Sequence, residues 1–114
     1  MDALPRLDPQ PMWGALLRDL SAGVSIGVVA ARFHSGLARA LMLMIDHLAT
    51  ALGAERSGRI VLSGGVFQNA ILSAELIRRL EAGGRQVLRH SRVPANDGGL
   101  SLGQAVIAAA RTVG

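Results

Sequence analysis

The 114-residue chain contains no cysteine, no lysine and no tyrosine. Without cysteine it can form no disulfide, no zinc–thiolate site and no thiol nucleophile. That absence fits a cytoplasmic protein. Aromatics are limited to Trp13, Phe33 and Phe67, so the core is expected to be aliphatic, and stacking platforms for single-stranded nucleic acid are nearly excluded. With no lysine, all twelve basic residues are arginines, giving a net charge of +4 and an isoelectric point of about 11.5. Arginine inflates that value because it stays protonated beyond the range where lysine titrates. Only Arg78, Arg79, Arg85, Arg89 and Arg92 lie close in sequence. A nucleic-acid footprint is a denser stripe, so no nucleic-acid partner is expected. Leu37 to Ala54, the most apolar long stretch, carries Arg39, Asp46 and His47, which a bilayer tolerates poorly. Met1 to Gln10 is polar and proline-bearing. Neither a membrane span nor a signal peptide is expected.

What is present is strongly apolar. Half the residues are hydrophobic and 18% are charged, a balance that argues against intrinsic disorder. Asp8-Pro9-Gln10-Pro11 starts a short helix, since proline is tolerated in a first turn. Run from Pro11 to Leu20, that helix places Trp13, Leu16, Leu17 and Leu20 together, and Ser21-Ala22-Gly23 breaks it. Ser25 suits the N-cap of a long helix from Ile26 to Leu52, ended by Gly53. Val29, Phe33, Leu37, Ala40, Met44, Leu48 and Ala51 follow its period, and Met42, Leu43 and Ile45 widen the apolar arc.

Beyond a polar loop at Glu55–Gly58, Arg59-Ile60-Val61-Leu62-Ser63 reads as a buried strand stopped by Gly64-Gly65. A helix over Asn69–Ala82 lines Leu72, Leu76 and Leu80 on one face, with a Glu75–Arg79 surface pair. Gln86–Arg89 is a second strand, Ser91–Gly98 a loop, and Gly99–Arg111 a last, alanine-rich helix. The fold class is α/β: a long helix, then β-α-β-α with two parallel strands. Two parallel strands do not make a domain, because parallel sheets are normally larger and covered on both faces. The apolar content therefore exceeds what the chain can bury alone. It is expected to be a fragment of a larger α/β domain or an obligate oligomer.

Two loops stand out. Leu62-Ser63-Gly64-Gly65-Val66-Phe67-Gln68-Asn69 runs from a strand through a glycine pair into a helix. Such glycines allow close backbone approach to a ligand, and free N–H groups at the helix start suit a phosphate. A plain strand-to-helix turn capped by Asn69 explains the pattern equally well. Val93-Pro94-Ala95-Asn96-Asp97-Gly98-Gly99 follows the second strand on the same sheet edge, where α/β ligand sites gather. Asp97 is suited to a hard metal ion, or to an Asx-type turn capping the last helix. His34, on the apolar side of the long helix, reads as a hydrogen-bonded core residue, His47 as carbonyl-capping or solvent-facing, and His90 as isolated. No two histidines stand at ligand spacing, and no serine has a base placed beside it by sequence.

These two segments, the second continuing through Leu100-Ser101-Leu102-Gly103-Gln104-Ala105, closely resemble the C-terminal end of the HypF family. Ala30-Ala31-Arg32-Phe33-His34-Ser35-Gly36-Leu37-Ala38 resembles the family's long helix. The resemblance covers nearly the whole chain with matched spacing. It implies that residues 1–114 are the C-terminal fragment of a TsaD-like carbamoyltransferase domain, part of an actin/Hsp70-like (ASKHA) fold. In that family a carbamoyl-adenylate, made from carbamoyl phosphate and ATP, donates its carbamoyl group to the C-terminal cysteine of HypE during [NiFe]-hydrogenase maturation. By position, Gly64 and Gly65 would line the nucleotide phosphates, Asn69 would contact the nucleoside, and Asp97 would ligate a divalent metal such as iron or magnesium. The family's paired-histidine metal motif, its other phosphate loop and its other domains have no counterpart in these 114 residues. Activity of this chain alone is therefore not expected, and a non-catalytic, self-associating module of the same family is the alternative.

Overall fold

The computed structural model describes residues 4–53 and 57–113. Helix α1 spans Gln10–Ser21, α2 Ile26–Leu52, strand β1 Arg59–Leu62, a 3₁₀ turn Gly65–Gln68, α3 Ala70–Ala82, β2 Gln86–Arg89 and α4 Gly98–Val113. Of the expected polar loop, Glu55 and Arg56 lie outside the described residues.

The strands pair in parallel, Ile60 opposite Val87 and Leu62 opposite Arg89. One face of this two-stranded sheet is covered by α3 and the C-terminal half of α2. The covering residues are the expected leucine stripe: Leu76 and Leu80, fully buried, meet Leu62, flanked by Leu41, Met42, Ile45 and Ile60. The wide apolar arc of α2 has a use on each side. Its first half packs on α1, where Trp13 and Phe33 meet at a ring-centroid distance of 6.3 Å. Its second half contributes Met42 and Ile45 to the sheet core.

By length and mean hydropathy alone α2 is a candidate membrane span, the one such helix among the described residues. Two of its charged groups are engaged within the chain: Arg32 bonds Asp19 of α1 at 2.8 Å, and Asp46 bonds Arg85 before β2 at 2.7 Å.

The reading of β1 as a buried strand needs correction. Only Leu62 is buried, and Val61 is 66% exposed, because nothing among the described residues covers the second sheet face. The surplus of apolar residues is equally visible in size. The radius of gyration is 18.0 Å, against about 13 Å for a self-contained domain of this length. The accessible surface is 8672 Å², against about 5,900 Å² for a monomer of this mass.

Candidate functional site

Because β1 and β2 run parallel, both of their C-terminal ends open on one edge, and the two loops flagged from sequence meet there. Ser63, Gly64, Gly65, His90, Pro94, Asn96 and Asp97 line one open cleft of about 330 Å³. Gly64 has φ +103°, which side-chain-bearing residues rarely adopt. A Cβ there would meet nothing within 4 Å. This glycine is required by its backbone, and the space in front of it is open to a ligand.

Helix α3 begins where the sequence placed it, just after Asn69, but not directly at the glycine pair. A four-residue 3₁₀ turn separates Gly64 from α3. The first N–H groups of α3 are also occupied: Asn69 Oδ1 accepts from Ile71 N at 3.1 Å and Leu72 N at 3.0 Å. The helix therefore offers those donors to its own cap and not to a phosphate at the glycine pair. Asn69 is the expected cap, and its side chain does a second job. Its amide Nδ2 donates to His34 Nε2 at 2.8 Å, while His34 Nδ1 donates to the Ala30 carbonyl at 2.7 Å. Because Asn69 Oδ1 is committed to backbone donors, its Nδ2 must donate, which fixes the neutral, Nδ1-protonated tautomer of His34. His34 is thus hydrogen-bonded, as its sequence context suggested, but half-buried and not in the core, and it joins α2 to the N-terminus of α3. His47 is exposed.

At the other loop, the Asx turn is made by Asn96, not Asp97: Asn96 Oδ1 accepts from Gly98 N at 2.9 Å. Asp97 uses only its backbone, its carbonyl accepting from Leu100 N at 3.0 Å. Its carboxylate is exposed in the cleft with no hydrogen bond or ion pair among the described residues. No three metal-ligating side chains stand together among those residues. The residues present therefore do not make a cation cage, and Asp97 supplies one carboxylate only.

Sequence reasoning missed one pairing. Ser63 Oγ and His90 Nε2 lie 2.8 Å apart, although 27 residues separate them. The signal was available in the parallel register, since each follows directly on the last paired residue of its strand.

A family model described as the carbamoyltransferase, Kae1-like domain, second subdomain, matches residues 2–104. The chain belongs to this HypF carbamoyltransferase family. It is 41% identical to carbamoyltransferase HypF of Rhodobacter capsulatus over 92% of its length, and 39% identical to carbamoyltransferase HypF2 of Cupriavidus necator over 97%. In each case it spans 13% of the relative. The crystal structure of a full-length HypF in its phosphate- and nucleotide-bound form superposes with a TM-score of 0.79 at 37% identity, over 89% of this chain and 13% of that one.

Proposed function

We propose that this chain is the C-terminal part of a HypF-type carbamoyltransferase domain with an actin/Hsp70-like (ASKHA) fold, and that its cleft forms one wall of a nucleotide site completed by other polypeptide. The observation that carries this reading is the cleft itself. Gly64, with open space before it, and a carboxylate with no partner among the described residues share one mouth, in a chain whose structural relative is nucleotide-bound. In this reading Gly64 and Gly65 lie along the phosphates of ATP or carbamoyl-adenylate, and Asn69, already fixed by His34, borders the nucleoside. Asp97 gives one ligand to a divalent metal whose other ligands come from outside the chain. The intact cytoplasmic enzyme would draw on carbamoyl phosphate and ATP and deliver the carbamoyl group to a HypE-like acceptor thiol.

The bare second sheet face and the surface excess support the need for other polypeptide, since an open half-cleft excludes no water. Isothermal titration of this chain alone with ATP and Mg²⁺ is expected to show weak binding or none. Recombining the chain with the remainder of such a domain is expected to restore it, and Asp97→Ala to lower the metal content of the recombined protein. Unchanged metal content in that variant would remove Asp97 from the site.

A second reading, a self-associating non-catalytic module, is favoured by the exposed apolar residues of α4. Sedimentation decides it: a stable monomer at micromolar concentration counts against self-association.

A further inference from the structure

We infer that His90 is a positioning residue of this cleft: with Ser63 it clasps the glycine loop to the loop that carries Asp97. The inference rests on the nucleotide reading for its purpose but not for its geometry. The β ladder ends at Leu62 opposite Arg89. One step beyond, Ser63 and His90 extend it with a side-chain bond of 2.8 Å. A further step along β1, Gly64 N donates to the Ala95 carbonyl at 2.8 Å. Two bonds, one from side chains and one from backbone, thus tie the residues just beyond β1 to the segment between β2 and α4. Asp97 stands two residues past the second tie. The packing agrees, since a Cβ on Gly65 would sit 3.8 Å from Asn96 Cβ.

Without the clasp, the loop from His90 to Asp97 would depend on the single Gly64–Ala95 bond for its closure over the glycine pair, and the loops would part more often. His90 suits this place better than an apolar residue. His90 also borders a second cavity, beside Leu62, Phe67, Ile77 and Arg89.

The test reads amide exchange of Gly64 by NMR in the whole chain. His90→Phe keeps a ring but loses the bond, Ser63→Ala loses the other partner, and His90→Gln keeps a side-chain amide donor for Ser63. Gly64 exchange should rise about fivefold in the first two, the effect of one net hydrogen bond. It should rise no further in their combination and return to within about twofold of wild type in His90→Gln. The Leu76 and Leu80 amides should stay unchanged. Unchanged Gly64 exchange in His90→Phe, or exchange as fast in His90→Gln, overturns the clasp. Should the ring replacement unfold the chain, Ser63→Ala decides alone.

Recombined with the remainder of the domain, His90→Phe should raise the Kd for ATP about fivefold, again one net hydrogen bond, and His90→Gln should restore it. An unmoved Kd beside faster Gly64 exchange overturns the positioning role. If the recombined wild type binds no ATP, the nucleotide reading falls while the exchange arm still decides the clasp.

Discussion

Helices α3 and α4 are neighbours in sequence, similar in length and both apolar, yet they meet opposite fates. In α3 the leucines fall at i, i+4, i+8, so Leu72, Leu76 and Leu80 form one stripe, and all three are buried against α2 and the sheet. In α4 the apolar residues Leu100, Leu102, Val106, Ile107 and Val113 are all exposed, and no residue of the helix is buried. The first helix is held by the chain's own core. The second carries an apolar surface that no described residue covers. The boundary between them is the strand edge with the two clasped loops, so the candidate site lies where the self-sufficient part of the molecule ends.

The sharpest way to break this contrast is to truncate one residue in each helix. Leu76→Ala should cost about 3 kcal/mol of unfolding free energy through lost burial and the cavity left behind. Val106→Ala, at a position 60% exposed, should stay within about 0.5 kcal/mol. Urea denaturation of the two variants measures both. A cost above about 1.5 kcal/mol for Val106→Ala would mean that α4 packs on its own chain, and the contrast would fail. In the recombined domain, the same Val106→Ala should become costly.

The next effect sits at the start of α3. Asn69→Ala removes two bonds to backbone donors and one to His34, and should cost about 1–2 kcal/mol, the range for losing a helix cap. His34→Ala should cost less, because the cap bonds from Asn69 Oδ1 survive. The double variant should cost less than the sum of the two, since both single changes remove the same Asn69–His34 bond. Additive values in chemical denaturation would show that this bond contributes nothing.

Much of this was legible in the sequence, and the reasons differ by element. The leucine stripe of α3, the limits Ile26–Leu52 and the strand Gln86–Arg89 follow from period, caps and glycine stops, which act locally. The family resemblance rested on the two loops and was borne out by the family model. What the sequence did not show depends on geometry between distant segments. The sequence reading did not include the 3₁₀ turn at Gly65–Gln68, which lies between the glycine pair and the capped start of α3. Asn96 rather than Asp97 makes the Asx turn, a choice between adjacent, chemically similar side chains. The Ser63–His90 bond appears only once the register of the parallel pair is known. Burial of β1 was overestimated because a β-branched run reports what a whole sheet would cover, not what this chain alone supplies.

The smallest effect expected concerns charge on α3. Arg78 and Arg79 both reach Glu75: Arg78 Nη2 lies 3.0 Å and Arg79 Nε 2.7 Å from Glu75 Oε1, and Arg79 Nη2 goes on to Ser35 Oγ of α2 at 3.2 Å. Hydrogen bonds from Arg78, then from Arg79, hold the Glu75 carboxyl below its ordinary range, and the same pairing raises the Arg78 guanidinium further. A carboxyl lowered in the folded state adds stability that is present above its unfolded value, about pH 4.3. That contribution is lost as pH falls through the lower folded value, because the unfolded chain then binds the proton first. The raised guanidinium is the same pairing seen from the cation; Arg78 stays protonated between pH 3 and pH 7 and adds no separate change there. Arg78 is exposed and Glu75 half-buried, and salt screens the pair. The expectation is therefore a melting temperature slightly lower at pH 3 than at pH 7, with the part due to Glu75 absent in Glu75→Gln and reduced at high salt. A variant that keeps the full pH dependence would place the acid sensitivity outside this pair.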